Sequence, residues 1–228
     1  MLTTAPLRVA VLCSRRAPGL DGLFSGERAR GRTYDLVAMV TSDPECVERG
    51  RFAAPLLVND IRQFYSARAT RLADLGPRAD FDRATVQILE PFRPDLVVLC
   101  GYLHILTAPM LERFPERVIN VHDSDLPRYP GLHATRDAIL AGERETRSTV
   151  HLVREAVDCG PVIARSRAFP THPLVEAARR AGRVDILKAY AYAQREWMML
   201  SWGPLLARAL DVVARDAVGV HTPSPAIA

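Results

Sequence analysis

Three residue types that together can move an acyl group lie close along one stretch of the chain. Asn120 and His122 stand two residues apart at the end of the apolar run Val118-Ile119-Asn120-Val121, and Asp158 opens the turn Asp158-Cys159-Gly160-Pro161. Side chains at i and i+2 of a strand point to the same side, so an amide N–H and an imidazole would face one cleft. The amide is a neutral donor suited to an oxyanion. The imidazole can donate to the same oxygen or move a proton near neutral pH. A carboxylate beside it would orient the ring and take a proton from an attacking amine through a water. Such a set suits transfer of an acyl-level group onto an amine. Taken alone, Asn-x-His also fits a loop cap beside a satisfied histidine, and Asp before Gly-Pro is an ordinary turn signature. The turn Asp123-Ser124-Asp125-Leu126-Pro127-Arg128-Tyr129-Pro130-Gly131 directly follows His122 and fixes the strand end, which favours a site.

The elements that must position these residues read as an α/β chain. Residues 7–13, 34–42, 56–58, 94–101 and 117–122 are apolar runs ending in turn residues, the pattern of buried strands. Residues 81–91, 109–114 and 134–141 carry apolar side chains at helical spacing. Alternation of the two predicts a mostly parallel sheet covered on both faces, with ligands beyond the carboxyl ends of its strands. Residues 149–154 and 161–169 add two strands, an antiparallel pair joined by the turn 155–160. Residues 60–80 are polar and Arg-rich and read as an irregular insertion. Residues 187–217 are helical in pattern, with a break expected near Gly203-Pro204. One domain is expected over 1–220, and a disordered tail over 221–228.

The 228 residues suffice for a domain that buries roughly 70% of its unfolded surface. No apolar run approaches the ~20 residues of a membrane span. The first residues have neither a basic start nor a long apolar core, so no signal peptide is expected and a cytoplasmic protein is. Cys13, Cys46, Cys100 and Cys159 are scattered, which predicts buried free thiols and no metal site. The net charge is +4 and Lys188 is the only lysine; the arginines are interleaved with acids, which argues against a nucleic-acid face. His133 and His151 read as fold-supporting. Trp197, Met198, Met199, Leu200 and Trp202 would pack on the sheet or on a second copy, so a monomer or homodimer is expected.

Residues 94–169 resemble the folate-dependent formyltransferases, and within them most the phosphoribosylglycinamide formyltransferases. The resemblance rests on Pro94-Asp95-Leu96-Val97-Val98-Leu99, Gly101-Tyr102-Leu103-His104-Ile105-Leu106 and Asn120-x-His122-x-Ser124-x-Leu126-Pro127. It continues through Tyr129-Pro130-Gly131-Leu132-His133, Ser148-Thr149-Val150-His151 and Asp158-x-Gly160-Pro161-Val162-Ile163. It implies a Rossmann-like formyltransferase fold with 10-formyltetrahydrofolate as donor and no metal. It also implies catalytic roles for Asn120, His122 and Asp158: the first two on the oxyanion, the third orienting His122 and assisting proton transfer. The family's pterin pocket, largely backbone, falls on Tyr102, Leu103, His104, Ile105 and Leu106 and on Arg154, Glu155, Ala156 and Val157. His104 stands where the purine enzymes usually carry Arg.

The departures lie on the acceptor side. The family's Gly-Ser-Asn-rich phosphate loop is here Ser14-Arg15-Arg16-Ala17-Pro18-Gly19-Leu20, in which Pro18 supplies no N–H. Ser14, Arg15 and Arg16, with Asp123 and Glu196, are the expected acceptor contacts. Asp123 replaces a Pro or Gly of the family and would suit a cationic amine. The acceptor expected from these departures is a small amine other than the purine intermediate. The alternatives are the purine enzyme with a divergent loop, a 10-formyltetrahydrofolate hydrolase, and a non-catalytic folate binder, which would not need all three catalytic residues.

Overall fold

The computed structural model describes residues 5–24 and 33–217; the tail at 221–228 lies outside them. A seven-stranded sheet forms the centre. Its strands are β1 (Leu7–Cys13), β2 (Tyr34–Thr41), β3 (Leu56–Val58), β4 (Leu96–Leu99), β5 (Val118–His122), β7 (Thr149–Leu152) and β8 (Val162–Arg165), in the order β3-β2-β1-β4-β5-β7-β8. The first five run parallel, and β7 and β8 are antiparallel additions at one edge. β6 (Glu145–Thr146) and β9 (Phe169–Pro170) make a separate small ladder.

Alternation along the strands sends side chains to two cores. Val9, Val11, Leu96, Val98, Ile119 and Val121 face α1 (Leu20–Phe24) and α8 (Trp202–Ala217), meeting Leu20, Trp202, Leu206 and Leu210. Ala10, Leu12, Val97, Leu99 and Val118 face α3 (Arg78–Leu89) and α4 (Ala108–Arg113), meeting Val86, Leu89, Met110 and Phe114. α5 (Ala134–Ala141), α6 (Leu174–Arg180) and α7 (Val184–Met199) pack together through Ile139, Val175, Leu187 and Ala191. Among the described residues no helix is long and apolar enough to cross a membrane.

The chain runs outward from β1 to β3 on one side, then returns to lay β4 and β5 on the other. Strand order therefore reverses between β1 and β4, the crevice where open α/β sheets bind ligands. The loops leaving these strands are pinned together there. Ser14 N–H donates to Gly101 O at 3.1 Å, and a Cβ on Gly101, at φ +68°, would fall 2.4 Å from Arg16 O.

Four expectations differ from the structure. Residues 60–80 are not irregular throughout: they hold α2 (Ile61–Ser66), N-capped by Asp60, and Arg78 lies buried with Nε donating to Tyr65 Oη at 3.1 Å. The run 161–169 is divided between β8 and β9, because Gln194 Nε2 reaches from α7 to Thr146 Oγ1 (2.8 Å) and Phe169 O (3.1 Å) and holds the small ladder apart from the sheet. The C-terminal helices break at residues 200–201, before Gly203-Pro204. Pro204 sits in the first turn of α8, where its missing N–H costs nothing. Cys13, Cys46 and Cys100 are buried thiols, but Cys159, in the turn before β8, is exposed.

Candidate active site

Asn120 and His122 lie on the same face of β5, at its carboxyl end, and the antiparallel register with β7 sets Asn120 opposite His151. The His151 ring is fixed by its neighbour: Nδ1 donates to Leu152 O at 2.9 Å, since a carbonyl can only accept. Nε2 is then the acceptor, and Asn120 Nδ2 donates to it at 3.2 Å. One amide N–H of Asn120 is thus held, which aims the other.

His122 is held by the turn after β5. Its Nε2 donates to Tyr129 O at 3.3 Å, and Ser124 Oγ donates to the same carbonyl at 2.8 Å. Nδ1 faces two carboxylates, Asp158 Oδ2 at 3.6 Å and Asp123 Oδ1 at 3.9 Å. These distances exceed a direct hydrogen bond and leave room for a bridging water.

Asp158 comes from the β7–β8 turn, in the left-handed region at φ +53°, which Asp tolerates better than most residues. The turn is tight because Gly160 abuts β7: a Cβ there would lie 1.7 Å from Leu152 O. Asp158 Oδ2 accepts Gly131 N–H at 2.7 Å, and Oδ1 stands 3.5 Å from His151 Nε2. Burial pushes its carboxyl up, but the imidazole of His122 opposite it and the Gly131 N–H outweigh this and hold it below the usual carboxylate value.

These three side chains border a cleft of about 420 Å³. Tyr102, Leu103, His104, Ile105 and Leu106 line it after β4, and Arg154, Glu155 and Val157 line it from the β7–β8 turn; Ala156 does not. Leu103, Ile105, Leu132 and Val157 stay 43–64% exposed around it, an uncovered apolar rim suited to a flat ring system. The segment 102–107 is anchored from behind. Leu103 N–H donates to Ser14 Oγ at 3.2 Å, and the carboxylate of Asp82 accepts Thr107 N–H at 2.6 Å. His104 Nε2 lies 3.1 Å from Ser42 Oγ; burial, helped by the charge of Arg78, pushes its pKa down to about 4, so it presents a neutral ring.

The acceptor-side expectations scatter. Ser14 is buried and serves the 102–107 segment. Arg15 is exposed and paired with Glu45 at 2.8 Å. Arg16 and Glu196 form a two-pronged pair at 2.5 and 2.9 Å, outside the cleft wall. Asp123 does line the cleft, buried, with Oδ2 accepting from Arg195 Nε at 2.5 Å and Thr135 Oγ1 at 3.1 Å. Arg195 itself gives no local sequence signal; His151 falls in the run Ser148-Thr149-Val150-His151, but its contact with Asn120 comes from the register of β5 with β7. Among the described residues no group of three or more His, Cys, Asp or Glu is placed to hold a metal ion.

The chain is similar to several known proteins. The chain is 35% identical over 162 residues, 71% of each chain, to the phosphoribosylglycinamide formyltransferase of Mycobacterium tuberculosis strain H37Rv. It is 31% identical over 91% of its length to the trifunctional purine biosynthetic protein adenosine-3 of Drosophila melanogaster, of which it spans only 15%. The crystal structure of glycinamide ribonucleotide transformylase 1 from Symbiobacterium toebii superposes with a TM-score of 0.60 at 30% identity, covering 85% of this chain and 88% of that one. The formyl transferase family profile matches residues 7–180, and with that match the chain belongs to the formyl transferase family.

Proposed function

We propose that this protein transfers the formyl group of 10-formyltetrahydrofolate to the amine of a small-molecule acceptor. The observation that carries the reading is the convergence of Asn120, His122 and Asp158 on one cleft, with the apolar-rimmed segments 102–106 and 153–157 beside them. The donor supplies a formyl carbon at the acyl level and an amine leaving group. The free N–H of Asn120 lies where it can hold the oxygen that gains charge as the acceptor amine adds, a preorganised donor for that charge. His122 Nδ1 and Asp158 together take up the proton lost by the amine, through a water spanning the space between them, and return it to the donor nitrogen as its bond to the formyl carbon breaks and tetrahydrofolate leaves. The Gly131 N–H keeps Asp158 ionised for this task.

The names of the relatives support glycinamide ribonucleotide as the acceptor, ahead of the non-purine amine suggested by the first loop. The test is tetrahydrofolate release from 10-formyltetrahydrofolate, followed by absorbance, with and without glycinamide ribonucleotide and other amines. Release that depends on an amine supports transfer. Release at the same rate without any amine replaces it with hydrolysis, and no release under any condition sinks both.

A further inference from the structure

We propose that Arg195, aimed by Asp123, holds the oxyanion carried by the acceptor, a role the loop after β1 has lost. The proposal rests on the transfer reading and adds how the acceptor is recognised.

The loop after β1 has little left to offer an anion. Ala17 N–H donates to Glu48 Oε1 at 2.9 Å, and Glu48 is only 4% exposed, so an internal carboxylate already sits on that backbone donor. Pro18 has no N–H to give. Arg15 is committed to Glu45 and Arg16 to Glu196.

Arg195 differs from both. It lines the cleft beside Asn120 and His122. Its Nε donates to Asp123 Oδ2 at 2.5 Å, and its two terminal amino groups have no partner among the described residues. A guanidinium is a planar fork of five donors; with Nε taken, the end-on pair remains free for two parallel bonds to a carboxylate or phosphate. Asp123 is 6% exposed, and its other oxygen lies 3.9 Å from His122 Nδ1. A single carboxylate therefore separates the guanidinium from the reacting histidine. A buried pair of this kind is poor evidence for stability, since desolvation consumes most of its attraction. Its geometric effect is to fix where the free end of Arg195 points.

The oxyanion has two possible sources, a phosphate as on glycinamide ribonucleotide or the carboxylate of a short amino acid. The experiment measures amine-dependent tetrahydrofolate release with glycinamide ribonucleotide, with short amino carboxylates, and with the uncharged amides of the latter. Wild type is compared with Arg195→Gln and with Asp123→Asn/Arg195→Gln, which removes both charges and leaves neither buried alone. An anionic amine is expected to be the productive acceptor, and its KM to rise roughly 10- to 100-fold in both variants, the range for loss of a charge-assisted bond. KM for 10-formyltetrahydrofolate should hold within about twofold. Turnover of glycinamide ribonucleotide would assign a phosphate, and turnover of an amino carboxylate the shorter anion. An acceptor KM unchanged in Arg195→Gln, or equal turnover of the uncharged amides, overturns the role of Arg195 while leaving transfer intact. Wild type without amine-dependent release strikes the transfer reading, and this proposal falls with it.

Discussion

Replacing Asn120 with alanine tests the proposed chemistry at its narrowest point. The Asn120 amide carries two N–H groups; His151 Nε2 holds one at 3.2 Å, and the other is free for the oxygen of the reacting carbon. Loss of one preorganised oxyanion donor costs about 3 kcal/mol of transition-state stabilisation, or 100- to 1,000-fold in kcat. The effect on folding is smaller. The structure loses one neutral side-chain hydrogen bond, about 1 kcal/mol, against the 5–15 kcal/mol typical of a folded protein. His151 keeps its bond to Leu152 O and its contact with Asp158. Asn120→Ala should therefore remain folded, bind folate with near wild-type affinity and turn over at least 100-fold more slowly. Asn120→Asp keeps the shape but sets a third carboxylate among His151, Asp158 and Asp123, and should be slower still. The assay is steady-state tetrahydrofolate release at saturating donor and acceptor, with urea denaturation of each variant alongside. A kcat for Asn120→Ala within threefold of wild type would refute the assignment of Asn120 to the oxyanion.

Three further outcomes follow from the geometry. Asp158→Asn keeps the size of the side chain but removes the charge facing His122 and His151; kcat should fall 100- to 10,000-fold, the range for a lost proton-transfer group, and a loss below tenfold would reassign Asp158 to holding its turn. His104 is pushed down to about 4 from an ordinary value of 6.5, so the folded state resists its protonation. The linked stability is complete above pH 6.5 and is lost as pH falls toward 4, by up to about 3 kcal/mol. Denaturant midpoints measured across that window should flatten in His104→Gln, and an identical slope in the variant would remove His104 as the cause. Gly160→Ala drives a Cβ to 1.7 Å from Leu152 O, so the β7–β8 turn must move. Tm should drop by the several degrees that an overpacking cost of about 1–3 kcal/mol implies, and turnover should fall with it because Asp158 rides on that turn.

The parallel strands are legible in the sequence because a buried strand leaves a continuous apolar run, as in Leu96–Leu99 and Leu7–Cys13. The placement of Asn120 and His122 is legible for a related reason: the two-residue period of a strand needs no knowledge of the rest of the chain. Residues 60–80 are misread because their order depends on tertiary partners. α2 has only six residues, and the burial of Arg78 against Tyr65 cannot be foreseen from a polar, Arg-rich composition. The run 161–169 hides its division for the same reason, since Gln194 makes that division from another helix.

The acceptor side fails to show in the sequence on a larger scale, and the charges explain why. Arg15 and Arg16 look like free cations beside a strand end, yet each is neutralised, Arg16 by a residue 180 positions away. Arg195 stands between Gln194 and Glu196 in a helix and looks like one more surface arginine, yet a residue 72 positions earlier turns it into the cleft. A side chain's charge is written locally, but its availability is decided by whichever opposite charge the fold brings to it. Arg195 is informative because its partner occupies Nε and its place on the cleft wall leaves the terminal amino groups beside the site. The cleft residues His122, His151 and Asp158 escape this ambiguity because backbone carbonyls and N–H groups of neighbouring turns, rather than distant charges, orient them. On the proposed reading, the transfer chemistry is encoded in short runs at strand ends and acceptor recognition in the pairing of helix α7 with the loop after β5, so recognition could diverge while the transfer residues stay fixed.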